Sequence, residues 1–218
     1  MFIGHFAVGF AAKQATPRVS LAVLFLAAQL ADLLWPVFLV LGLEQVRIEP
    51  GNTAFTPLNF ISYPYSHSLL MLVIWGVVFA RVFSREVSRT FLVLFALVVS
   101  HWVLDFVTHR PDMPLYPGGP KLGLDLWASV PGTIAVEVSM FLVGLWMYSR
   151  ATRARDKRGR WGLVGFAAFL GVGYIAAVGG PPPPTVRTLV ISALLGFVIL
   201  LVWSWWADRH REAILRTR

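Results

Sequence analysis

Long runs of apolar residues with very few charges constrain this chain more than any other feature. Six such segments lie at roughly 19–42, 65–82, 89–109, 131–149, 161–179 and 188–207. Each is close to the ~20 residues that a helix needs to cross the hydrocarbon core of a bilayer. Helix is the form expected, because lipid offers no partner to an exposed backbone amide or carbonyl. The expected fold is therefore all-α, a polytopic membrane helical bundle of about six transmembrane helices, with boundaries good to about 2–4 residues. The chain is 57% apolar and only 14% charged, more apolar than a soluble domain of its length needs to be. Residues 1–12 are apolar but too short to span; they form either a half-helix tucked into the bundle or an interfacial anchor. No secretory leader pattern is present. There is no cysteine, so disulfides and thiolate metal sites are excluded and any metal must be held by nitrogen and oxygen.

The formal charge of +8 raises the question of nucleic acid, but the distribution of the charge points elsewhere. Lys13, Arg18, Arg81, Arg85, Arg89, Arg150, Arg153, Arg155, Lys157, Arg158, Arg160, Arg209, Arg211, Arg216 and Arg218 fall on one set of connections. Only Arg47, Arg110, Lys121 and Arg187 fall on the other. The two sets alternate with the six segments, and the positive-inside rule then places both termini in the cytoplasm of an inner-membrane protein. Trp161, Trp203, Trp205 and Trp206 lie where an aromatic belt belongs. Small residues of the fifth segment, Gly162, Gly165, Ala167, Gly171 and Gly173, suit close helix packing in lipid. The run Pro181 to Pro184 is a stiff outer turn. The chain divides into 1–140, which carries the candidate site, a basic cytoplasmic loop at 150–160, and two scaffold helices over 161–207, all within one membrane domain spanning 1–218. Two long outer loops, about 43–64 and 110–130, are rich in Pro, Gly and aromatic residues, and loops of that length are often functional.

An ionisable side chain inside a span costs several kcal/mol unless it has a partner or a purpose. The candidates here are few: Asp32 in the first segment, His67 at the start of the second, His101, Asp105 and His109 in the third, and Glu137 in the fourth. His5 joins them if residues 1–12 fold into the bundle. On the rise of a helix all of these reach the outer half of the membrane. His101, Asp105 and His109 are spaced i, i+4, i+8 and share one helix face, with about 6 Å of rise between neighbours and about 12 Å between the outer two. Ligand bonds to a metal are only ~2 Å long. That spacing suggests two ions with Asp105 bridging them, His101 on one and His109 on the other, an arrangement common in phosphate-ester hydrolysis. The plainer alternatives are a hydrogen-bonded packing histidine at His67, a structural ion pair at Asp32, an interfacial loop residue at His109 and simple pairing at Glu137. His210 sits between Arg209 and Arg211 and is surface.

At these residues the chain resembles a bacterial family of membrane-bound metal-dependent hydrolases. The resemblance rests on Gly4-His5-Phe6-Ala7-Val8-Gly9, Asp32, Ser66-His67-Ser68-Leu69 and Ser100-His101-Trp102-Val103-Leu104-Asp105, and it covers about the first 140 residues. That family is distantly similar to the zinc-dependent phospholipases C and zinc nucleases, whose ligand order is His, Asp, His, His-x-x-x-Asp, His. The resemblance implies zinc, one or two ions, held by His5, Asp32, His67, His101, Asp105 and His109, with Asp105 bridging. The soluble enzymes also use a metal-binding amino-terminal residue and a later His and Glu. Here Met1 stands first, no His lies between His109 and His210, and Glu137 is the acid left for that role.

The expected activity is hydrolysis of a phosphoester in a lipid or lipid-linked substrate by metal-activated water, with Asp105 and Glu137 as catalytic carboxylates. Arg110 and Lys121 could meet an anionic head group, since Arg suits phosphate geometry; loop solubility is the alternative for both. Two other classes remain: a transporter or ion-conducting protein using intramembrane His and Asp, and a non-catalytic scaffold locked by metal. An open coordination position beside a cavity marks the enzyme, closed coordination the scaffold, and a continuous polar route across the bundle the transporter.

Overall fold

The computed structural model describes residues 1–214; Arg216 and Arg218 of the charge count lie outside the described residues. The chain begins with α1 (Ile3–Ala12), α2 (Leu21–Ala28) and α3 (Leu30–Val40). An antiparallel hairpin of β1 (Gln45–Ile48) and β2 (Leu58–Ser62) leads to the one-turn α4 (Pro64–His67), then α5 (Leu69–Phe83) and α6 (Arg89–Thr108). A second small hairpin, β3 (Met113–Pro114) with β4 (Lys121–Leu122), and a 3-10 turn at Leu126–Ala128 precede α7 (Val130–Ala151). β5 (Thr152–Ala154), α8 (Lys157–Gly179), α9 (Val186–Arg209) and β6 (Arg211–Ala213) complete it, with β5 paired to β6.

The protein is thus mostly helical, and α6, α7, α8 and α9 are each long and apolar enough to cross a membrane. Their starts follow local chemistry: the side chains of Ser88, Ser129, Asp156 and Thr185 each accept a hydrogen bond from a first-turn amide of the helix they precede, which satisfies a donor that the helix itself leaves open. The expected six spans are reached only in part. The first expected span is two helices, α2 and α3, bent by 59° at Gln29. The expected second span begins four residues later than its sequence limits, because Ser68 is extended and caps α5. α5 has 15 residues, about 22 Å of helix against a core of about 30 Å. The two long loops, about 43–64 and 110–130, carry hairpins rather than open coil, and the last four residues of the loop at 150–160 are the first turn of α8.

α1 is the half-helix tucked into the bundle. Its Ile3, His5, Phe6 and Phe10 are buried, with Phe10 edge-on to Phe25 of α2 and close to Phe141 and Tyr148 of α7. α7 lets α1 in through Gly144, where an added Cβ would lie 2.3 Å from the backbone oxygen of Ala7. The glycines of α8 are less uniform than a packing stripe: Gly162 and Gly165 face Trp206 and Trp203, whereas Gly171 faces open space. The helices expected to be plain scaffold also carry a paired, largely covered charge. Asp208, in the last turn of α9, accepts from Lys13 Nζ at 2.7 Å and from Tyr148 at 2.6 Å, tying α9 to the end of α1. Lys13, expected as a loop charge, is 5% exposed.

Substitution Gly144→Ala should therefore lower the free energy of unfolding by about 1–3 kcal/mol through overpacking and displace α1, while Gly171→Ala should leave stability unchanged or raised. Thermal unfolding of the two variants in detergent checks this.

Candidate metal centre

Four elements bring the candidate ligands together. α1 supplies His5, α3 supplies Asp32, α4 ends on His67, and α6 supplies His101 and Asp105 and is capped by His109. All are buried except Asp32, whose side chain is 32% exposed. Asp105 sits at the middle. Its Oδ2 lies 3.2 Å from His101 Nε2, 3.8 Å from His109 Nε2 and 3.9 Å from His67 Nε2. Its Oδ1 lies 3.0 Å from His5 Nε2 and accepts from the amino group of Met1. Asp32 Oδ1 closes the other side, 3.4 Å from His67 Nε2 and 3.7 Å from His101 Nε2. His5 stacks face to face on His101, ring centres 3.8 Å apart.

His101 and His109 both reach the same Oδ2 of Asp105, because an imidazole is long enough to close the ~6 Å between i and i+4 positions. The other oxygen faces α1. Two overlapping groups have the spacing a metal ion needs: His5, His101 and Asp105, and Asp32, His67 and His101. His109 approaches only Asp105 Oδ2 within this cluster. Donors on a tetrahedral ion with bonds of about 2.1 Å stand about 3.4 Å apart, and Asp32 Oδ1 lies 3.4 Å from His67 Nε2 and 3.7 Å from His101 Nε2 in the one group, while Asp105 lies 3.0 Å from His5 Nε2 and 3.2 Å from His101 Nε2 in the other.

The hydrogen-bond partners on the far side of the rings sharpen this. Proton positions are assigned here from those partners. His101 Nδ1 lies 2.9 Å from the carbonyl of Ala28, which can only accept, so Nδ1 carries the proton. The bend at Gln29 makes this possible, since an unbroken helix would commit that carbonyl to the amide four residues on. His109 Nδ1 lies 3.0 Å from Asp112 Oδ1, again an acceptor. The neighbouring Tyr63 hydroxyl gives its own proton to the same oxygen at 2.7 Å. Burial opposes ionisation of Asp112, yet the hydrogen bonds from His109 and Tyr63 hold its carboxyl below the usual range. Burial, reinforced by Asp112, pushes the Tyr63 phenol well above its usual range. In the neutral rings the Nε2 atoms of His101 and His109 therefore present lone pairs to a carboxylate. Buried His101 Nε2 makes no hydrogen bond, although Asp105 Oδ2 is 3.2 Å away. Acceptor facing acceptor in a buried site is unfavourable; a cation between them, a metal ion or a second ring proton, resolves it. The donor set fits a divalent ion that prefers imidazole and carboxylate.

The remaining candidates fall elsewhere. Glu137 is fully buried, but its Oε2 accepts from the amides of Phe2 and Gly4, so it caps the start of α1 and satisfies donors the helix leaves open. Arg110 is committed to Asp112 and Asn59, clasping the end of α6 to the first hairpin. Lys121 is exposed and reaches the carbonyl of Ile61. Beside the cluster is a cavity of about 220 Å³, walled by Trp35, Phe55, Leu58, Phe60 and Trp127 and floored by Asp32, His67, Asp105 and His109. Sequence reasoning did not foresee the carbonyl of Ala28, Tyr63, or the role of Asp112 behind His109. The His109-x-x-Asp112 spacing was the available signal for the last. No family model matches the chain, and neither a curated protein nor a solved structure is significantly similar to it.

If the cluster binds zinc in the folded state, free zinc at about 100 times its Kd should add about 2.7 kcal/mol to the free energy of unfolding. His101→Ala and Asp105→Asn should abolish that increment. Thermal unfolding with and without zinc measures it.

Proposed function

We propose that this protein is a membrane-embedded metal-dependent hydrolase, a phosphoesterase acting on a lipid or lipid-linked substrate. The observation that carries the reading is the unpartnered Nε2 of buried His101, grouped with Asp32 and His67 beside an aromatic-walled cavity. His67, His101, Asp32 and Asp105 would hold one ion. Asp105 Oδ1, with His5, offers a second position, so one or two ions can be accommodated, and zinc suits the donors best. Once bound, such an ion supplies a polarised phosphoryl oxygen and a water whose pKa falls toward ~7.

The residues divide the remaining work. Asp32 is the one ligand with appreciable exposure, and it lines the cavity, so the substrate's reacting group approaches the cluster on its side. Ala28 and Asp112 hold His101 and His109 with their Nε2 atoms toward Asp105. The wall of Trp35, Phe60 and Trp127 excludes water and suits the apolar part of an amphiphile. An open cavity beside the ligands favours an enzyme over a scaffold with closed coordination. The resemblance to membrane-bound metal-dependent hydrolases points the same way. The charge alternation supports an inner-membrane location with both termini cytoplasmic and the cluster in the outer half, where outer-leaflet head groups are within reach.

Purified protein loaded with zinc should release phosphate or a phosphorylated head group from at least one class in a panel of lipid phosphoesters. Chelation should abolish the activity, zinc should restore it, and Asp32→Asn and Asp105→Asn should reduce it to background. A wild-type protein that binds zinc yet hydrolyses no member of the panel, while moving zinc or protons across vesicles, would instead establish the transporter reading.

A further inference from the structure

The structure holds a buried acid that sequence reasoning passed over, and we propose that it governs the cluster from a distance: Glu44, acting through the hydroxyl of Ser66, sets the tautomer of His67 and thereby decides whether that ring can take a cation. The inference rests on the metal-centre reading above, but it concerns a proton position that can be measured without metal.

Glu44 lies between α3 and β1 and is 2% exposed. Its Oε1 accepts from the backbone amides of Tyr65 and Ser66, each at 2.8 Å. Its Oε2 accepts from Ser66 Oγ at 2.6 Å, and Ser66 Oγ lies 2.6 Å from His67 Nδ1. A hydroxyl has one proton and a carboxylate only accepts. Ser66 must therefore give its proton to Glu44, and its oxygen must accept from His67 Nδ1–H. The neutral ring is left with a bare Nε2, which faces Asp32 Oδ1 at 3.4 Å and Asp105 Oδ2 at 3.9 Å. His101 and His109 reach the same state through groups that can only accept. His67 alone is set through a hydroxyl, which can rotate and reverse the chain of donors. The direction of that chain depends on Glu44.

An isosteric change exploits this dependence. In Glu44→Gln the amide oxygen keeps the two backbone donors, and the amide nitrogen takes the place of Oε2 and donates to Ser66 Oγ. Ser66 then turns its proton to His67 Nδ1, and the ring proton moves to Nε2, where it blocks the ligand position. Glu44 is thus a positioning residue; it touches no ligand atom of the cluster. Partners of this kind behind metal-binding histidines alter affinity by about 10–100-fold.

Nitrogen-15 NMR of histidine-labelled, metal-free protein tests the proposal. Wild type should show His67 protonated at Nδ1, and Glu44→Gln should show it protonated at Nε2, with His101 unchanged. Zinc affinity of Glu44→Gln should fall about 10–100-fold while the metal-free unfolding temperature holds. Ser66→Ala, which cuts the relay, should make His67 insensitive to the residue at position 44. An Nε2–H tautomer in wild type, or the same tautomer in wild type and Glu44→Gln, would overturn the relay. A tautomer reversal in a protein whose wild type binds no zinc would leave the relay standing and refute the metal-centre reading.

Discussion

A carboxylate buried in an apolar bundle must be neutralised where it stands, and the centre of this protein is arranged around that requirement at Asp105. An isolated ion moved into a low-dielectric interior costs several kcal/mol even after relaxation. Here four imidazoles from three stretches of chain and the amino group of Met1 surround one carboxylate. Positions of whole elements follow from it. α1 enters the bundle far enough for His5 to reach Oδ1. α4 stops the chain for one turn before α5, so that His67 faces inward. The break at Gln29 bends α3 away from α2, placing Asp32 opposite His67 and freeing a carbonyl for His101.

How much of this was legible from the sequence follows from which physical signals are local. The spans α6 to α9 announce themselves by length, hydropathy and capping residues, and their observed ends lie within a few residues of the expected ones. The triplet His101, Asp105 and His109 is visible because i+4 spacing is a property of the helix alone. Its side-chain geometry is not, because the reach and rotation of an imidazole decide which oxygen it meets. His101 and His109, for instance, both approach Asp105 Oδ2, which i+4 spacing alone does not say. The bend at Gln29 leaves no mark in an apolar pattern; Pro36, the residue that invites a kink, sits inside α3 beyond it. Glu44 lay in a segment without helical periodicity, and nothing local distinguishes it from a loop acid.

The two hairpins show how the loops serve the cluster. The first carries Phe60 to the cavity wall and Asn59 to Arg110, while the stretch after α6 brings Asp112 behind His109 and Trp127 over its ring at 4.1 Å. Arg110, expected to meet a head group, clasps the first hairpin, and Glu137, expected as a catalytic carboxylate, caps the start of α1.

The central claim is that this convergence exists to hold a metal ion. Elemental analysis of protein purified under metal-replete conditions, alongside His101→Ala and Asp105→Asn, tests it most directly. The account predicts at least one zinc or other transition-metal ion per chain in the wild type and a loss of that metal in both variants. Less than one ion per wild-type chain, or retention of the metal by both variants, would contradict it.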